Sequence, residues 1–347
     1  MNQWTTLLAP YHITLADNQR AISAVPKADS PTRIVPLIHQ RVISVLGPDA
    51  EKFLQGQLTC DMREVSKHGS RLGAHCTIKG SIIALYRLIA IDNGFLLRLN
   101  HEAFDLGLQT LKKYIMFSKA EAVDESENWL GFGLLGPGAD ALVEQLLEGN
   151  PLEVDCTVKT GNLIAVKVPV ADSEPGNRYE LWVPAEQAEG VLKKLTDRAP
   201  LGTTNDWLLT EVDAGIPEID AKTQESYIPQ MTNLQALKGV SFAKGCYTGQ
   251  EIITRLQHRG KLNKPMYLLS ADTQGLPSSG DAINTETKQN IGQVLSAARV
   301  NDHQVHLLAV ITKSQADEHP LSLADGTALN LLELPYELDP ELFVAKR

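Results

Sequence analysis

The sequence predicts an α+β protein built from two related subdomains of split βαβ type, each with helices on one face of an antiparallel sheet, followed by a small closed β-barrel. Three observations predict it: an internal echo in the first two hundred residues, a hairpin and amphipathic helix after each copy of that echo, and a change to short strand-like runs near Lys261. At 347 residues the chain has room for two or three such units without disulfide staples.

The echo pairs "LGPDAEKFLQGQL" at 46–58 with "LGPGADALVEQLL" at 135–147. Leu, Gly, Pro and Ala recur at the first, second, third and fifth places, a large apolar residue at the eighth (Phe53, Leu142) and Leu at the last. Short apolar runs, "RVISV" and "WLGFGL", precede the two copies, so each reads as strand, sharp Gly-Pro turn and helix. Downstream of the first copy, "SIIALYRLIAIDNGFLLRLN" is two apolar runs joined by Asn93-Gly94, a hairpin signal. The counterpart of the second is "NLIAVKVPVADSEPGNRYELWVPA". Each hairpin leads into an amphipathic helix carrying Leu-Lys-Lys, "HEAFDLGLQTLKKYI" and "EQAEGVLKKLTDR".

Beyond Lys261 the runs "KPMYLLSAD", "IGQVLSAAR", "HQVHLLAVI" and "TALNLLELP" alternate with turn residues, as in a barrel that hides its own strand edges. The expected division is therefore 33–128 with 200–258 as the first α+β subdomain, 129–199 as the second, and 259–345 as the barrel. Between repeats and barrel, a helix opening at "TNDWLL" is stopped by Gly215-Ile216-Pro217, and a long irregular connection runs to Cys246. Long loops inside compact domains usually carry function.

Composition narrows the chemistry. A formal charge of −10 argues against a broad grip on nucleic acid, which requires Lys and Arg to neutralise phosphates. Cys60, Cys76, Cys156 and Cys246 form no CxxC pair, and no metal-ligand spacing is present, so no metal centre is expected. Free thiols, no signal-peptide pattern and no long apolar span make a cytoplasmic protein without membrane attachment the expectation.

The stretch "FAKGCYTGQE" at 242–251 carries the strongest site signal. Gly245 and Gly249 remove bulk around Cys246, and Lys244 and Arg255 would favour its thiolate if they lie near it. Cys246 is thus either a presented nucleophile or a small buried hydrophobe. Nucleophile elbows, zinc-protease helices, Walker loops and dinucleotide fingerprints are absent, and His39, His75 and His258 are the histidines considered as thiol partners.

The stretch "YIPQMTNLQALKGVSFAKGCYTGQE" resembles the signature of YgfZ-type folate-binding proteins, relatives of the glycine-cleavage T-protein and of mitochondrial iron–sulfur assembly factors. The blocks "QGQLTCD", "AHCTIKG", "LKKYIMFSK" and "DAGIPEID" resemble that family too, over residues 35 to 345. The resemblance implies a T-protein-like ring of two ferredoxin-like subdomains and a barrel around a cavity for tetrahydrofolate or a derivative. It implies an accessory role toward iron–sulfur proteins or their assembly machinery and, through one of them, a link to tRNA modification; the acidic balance makes that effect indirect, with no direct nucleic-acid contact expected. Cys246 becomes a reactive, cavity-lining thiol assisted by Lys244. Asp213 would pair with the pterin, Trp207 would stack on it or anchor its helix, and Gln40 stands where an aromatic wall is expected. Gly245, Tyr247, Gln250 and Glu251 complete the implied folate-binding set. Lys112, Lys113 and Lys119 either meet the ligand's glutamate tail or serve helix dipole and solvent.

A folate-dependent aminomethyltransferase is the alternative, and a purely non-catalytic folate-binding module is a third reading. Against the transferase, Ile83 and Ala84 occupy the places where T-proteins carry an acidic pair. Without a carboxylate there, general acid–base help is absent.

Overall fold

The computed structural model describes residues 3–16, 20–23, 30–149 and 153–344. The first unit is a five-stranded sheet in the order Ser70–Cys76, Ile82–Ile91, Gly94–Asn100, Gln40–Leu46, Glu121–Asp124, with every pairing antiparallel. Helices Ala50–Gln57, Met62–His68 and Phe104–Ile115 lie on one face, where Phe53, Leu54, Val65, Phe104 and Leu111 pack against Ile43, Tyr86, Leu88 and Leu97. The Asn93-Gly94 hairpin forms, with Asn93 at φ 65°.

The second sheet repeats the order with Thr157–Thr160, Leu163–Val168, Asn177–Pro184, Trp129–Gly136 and, as its last strand, Arg33–Pro36. Helices Ala139–Leu146 and Ala188–Thr196 cover it, and the N-terminal helix Gln3–Leu8 adds Trp4 and Leu8 to the same core. The boundary expected at residue 33 is therefore corrected. After Ala188–Thr196 the chain passes into the connecting helix without supplying a further long strand, so the N-terminal segment takes the edge beside Trp129–Gly136.

The echoed glycines do the same work in both units. Gly47 (φ 124°) and Gly136 (φ 92°) end their strands in the left-handed region, and a Cβ there would stand 2.4 Å from the Lys119 carbonyl oxygen and 2.0 Å from that of Pro31. Only glycine permits both the conformation and the approach.

The two sheets face each other through the sides their helices leave bare. Period-2 alternation sends Leu97 to the helices and Leu96 to the other sheet; likewise Leu181 and Trp182 part to opposite faces. The same inner faces bury charge. Arg87 pairs with Asp155 at 2.6 Å and with Glu180 at 3.4 Å, Arg98 grips Glu180, and Glu211 lies 3.5 Å from Arg98 and 3.7 Å from Arg178. Burial pushes the Glu180 carboxyl up, but Arg98 and Arg87 outweigh it and hold the group below the usual range.

Residues 266–332 close the expected barrel, in the order Met266–Asp272, Gln304–Ile311, Gly292–Asn301, Ala282–Asn284, Leu321–Leu323, Ala328–Leu332 and back to the first. The connecting helix Thr204–Asp213, opened by a Thr203–Asp206 capping box, runs between the sheets and the barrel and carries Trp207, Glu211 and Asp213.

Candidate functional site

Three of the sequence blocks meet at one place. Lys244 extends a buried ammonium to the carbonyl oxygens of Leu58 (2.7 Å) and Cys60 (2.6 Å) in "QGQLTCD". Thr248 donates its N–H to the Gly56 carbonyl (3.2 Å), and Ser241 donates to that of Thr59 (2.9 Å). Gly249, at φ 82°, presses on the "AHCTIKG" turn, where a Cβ would stand 2.5 Å from the Thr77 carbonyl oxygen. Gly249 also caps helix Gln250–Arg259, the form taken by the apolar "EIITRL" run.

The result is a loop clamped from both sides with Cys246 exposed at its tip. The other thiols differ. Burial pushes Cys60 up to about 11 and raises Cys76 further, while Cys156 is half-buried with its sulfur 4.0 Å from His68 Nδ1. Exposed Gly245 borders an open surface depression together with Glu51, Lys52, Gln55 and Arg63.

Several expected roles change. Lys244 is a tether: both carbonyls it meets lie in the 58–60 turn, and the thiol beside it electrostatically is that of Cys60. Burial lowers its amine to about 8. Tyr247 is a core residue, with the Lys244 ammonium 5.1 Å from its ring centroid. Gln250 is half-buried and Glu251 exposed in the first turn of the following helix, where a carboxylate favours the dipole. His75 is buried with its ring edge-on to Tyr114, and His258 packs against Phe242; among the described residues neither hydrogen-bonds Cys246.

A separate cavity of about 290 Å³ opens where first sheet, connecting segment and barrel meet. Its wall includes His39, Asn100 and His101 from the first unit, Glu218 and Lys222 from the connection, and Leu295 from the barrel. Cys246 is not part of that wall, which corrects the cavity-lining reading: its loop is bound to the 56–60 and 77–80 turns and its side chain faces solvent.

Trp207 is fully buried in the core between the sheets, with the Arg178 guanidinium 4.3 Å from its ring centroid and Gly133 directly against its edge. It anchors its helix and offers no stacking face to a ligand. Asp213 is engaged with barrel His306, whose Nδ1 lies 2.6 Å from its carboxylate. Gln40 stands behind the cavity, its amide donating to Glu218 at 2.9 Å. Lys112, Lys113 and Lys119 are exposed on the outside of the first unit.

Glu218 is the acid that sequence reasoning passed over. Burial, then the charge of Glu211, raises its carboxyl to about 7. Burial likewise holds His39 well below its ordinary value, with Arg98 and Arg20 adding to the effect, so its imidazole is neutral. The signal lay in "DAGIPEID", which contains Glu218 as well as Asp213.

No family model matches the chain. Over 333 residues it is 32% identical to a protein of Yersinia pestis (strain Pestoides F) named tRNA-modifying protein YgfZ, covering 94% of this chain and 98% of that one. The chain belongs to the YgfZ family. A YgfZ protein of Pectobacterium atrosepticum is also 32% identical, over 300 residues that cover 85% of this chain and 89% of the relative. Among solved structures, this YgfZ-family chain superposes on the glycine cleavage system aminomethyltransferase T from Bartonella henselae with a TM-score of 0.70 at 17% identity, covering 91% of this chain and 88% of that one. That likeness establishes the T-protein-like fold.

Proposed function

We propose that this YgfZ-family protein binds a tetrahydrofolate derivative and serves as an accessory factor for iron–sulfur enzymes, among them one that modifies tRNA. The observation that carries the reading is the exposure of Cys246 on a loop held by Lys244 and Gly249: a rigidly presented thiol is suited to meet a macromolecular partner. The cavity suits a folate in its chemistry. Glu218 offers a carboxylate to the adjacent N–H donors of a pterin, and Arg20 and Lys222 bring cations toward a glutamate tail. Bound folate would supply a one-carbon carrier. The relatives' name points to tRNA, while the net charge of −10 favours an indirect effect over direct binding.

An aminomethyltransferase is disfavoured because Ile83 and Ala84 are buried and apolar at the acidic-pair positions. The test is Cys246→Ala. The variant is expected to keep its fold and its calorimetric affinity for reduced folate while failing to restore iron–sulfur enzyme activity in cells lacking the protein. Full restoration would leave a folate-binding module without thiol chemistry, and an absence of folate binding by the unaltered protein would remove the cofactor from the proposal.

A further inference from the structure

We propose that His39, Glu211 and Glu218 form a binding site for one divalent transition-metal ion of the zinc or manganese class. One imidazole nitrogen and two carboxylate oxygens from these residues lie within 4.8 Å of one another. Around an ion held at about 2.0–2.2 Å, neighbouring ligand atoms stand roughly 3–3.5 Å apart, so modest side-chain rotations close the set. The donors come from three segments: the turn before strand Gln40–Leu46, the connecting helix, and the irregular stretch after it. No linear spacing announces them, which is why the sequence carried no metal motif.

A second, independent observation concerns His39. Its side chain lines the cavity, the residue is 3% exposed, and among the described residues neither ring nitrogen has a hydrogen-bond partner. Buried imidazoles normally find one. An imidazole nitrogen left unengaged in this way is the kind of donor that coordinates a metal.

Among the described residues the neighbouring arginines reach Glu211 only as longer ion pairs and make no close hydrogen bond to either carboxylate. Arg98 spends its close contacts on Glu180, and Glu211 is met only at 3.5 Å by Arg98 and 3.7 Å by Arg178. Glu218 accepts from Gln40, an outer contact of the kind that orients a metal-binding carboxylate. Two carboxylates balance a dication, and the adjoining cavity leaves room for a water or ligand in a remaining coordination position. The site shares Glu218 and the cavity wall with the folate reading, but ion binding is tested without folate and does not require it.

The experiment strips the full-length protein with chelator, then titrates it with Mn²⁺ followed by electron paramagnetic resonance and displaces the ion with Zn²⁺. One ion per chain is expected, with His39→Gln and Glu218→Gln each weakening affinity at least about tenfold. Exposed Glu186→Gln is expected to leave it unchanged. No stoichiometric binding, or equal binding by the two cavity variants, overturns the proposal. If either variant does not fold, the Co²⁺-loaded unaltered protein decides: one hyperfine-shifted imidazole and no thiolate charge-transfer band support the site, and any other result refutes it.

Discussion

Gly249 approaches Thr77 so closely that a Cβ on residue 249 would stand 2.5 Å from the Thr77 carbonyl oxygen, at a backbone φ of 82°. The contact joins the cysteine loop to the turn after strand Ser70–Cys76. Gly249→Ala is expected to destabilise the protein by roughly 2 kcal/mol or more, because left-handed backbone alone costs an L-residue about 1–2 kcal/mol. Gly56→Ala, in helix Ala50–Gln57 with open space around its Cα, is expected to be neutral or stabilising by up to about 1 kcal/mol. Urea unfolding of both variants checks the contrast, and equal stabilities would show that the loop is not clamped at Gly249.

Lys244 links stability to pH. Burial lowers its amine from 10.5 to about 8 in the folded protein, so between those values the unfolded chain binds more protons. Stability must then rise with pH across that window, with the cost of burying the charge fully present below pH 8. The neutral amine keeps two N–H donors for the Leu58 and Cys60 carbonyls. The unfolding free energy of the unaltered protein minus that of Lys244→Met is expected to increase by roughly 1–3 kcal/mol from pH 7.5 to 10. A flat difference would place the amine in water.

Glu180 sits between Arg87 and Arg98 with no exposed surface. Glu180→Gln leaves both cations buried with less compensation, and a loss of about 3–5 kcal/mol is expected in chemical denaturation. A loss under about 1 kcal/mol, the value of a surface pair, would mean that water reaches the network.

Trp207 separates packing from ligand binding. Trp207→Ala is expected to cost about 3–5 kcal/mol through the cavity left between the sheets. Trp207→Phe, which keeps most of the volume, is expected to leave reduced-folate affinity unchanged in calorimetry. Lost affinity in a variant that retains its stability would return the indole to the ligand site.

Much of the fold was legible because its signals are local. Strand-end glycine, the following proline and the apolar period lie within thirteen residues in each echoed segment, and Gly47 and Gly136 meet the same steric demand. Arg33–Pro36 was harder to place because the sheet an edge strand joins depends on which partner remains unpaired, and nothing in "RIVP" names Trp129–Gly136. The site was legible in its blocks and less so in its geometry. Glycine spacing pointed to a presented Cys246, but whether Lys244, Trp207 and Asp213 face a ligand or the protein depends on Leu58, Arg178 and His306, each distant in sequence.

The edge position of Arg33–Pro36 also bears on biosynthesis. This strand leaves the ribosome about a hundred residues before Trp129–Gly136, and the whole first sheet is made in between. Its backbone must wait uncoupled until the second sheet arrives to close over it, so the halves are interlocked by order of synthesis. Severing the chain between residues 128 and 129 would yield no self-sufficient fragment on the C-terminal side, because the fifth strand of its sheet would be left behind on the other piece.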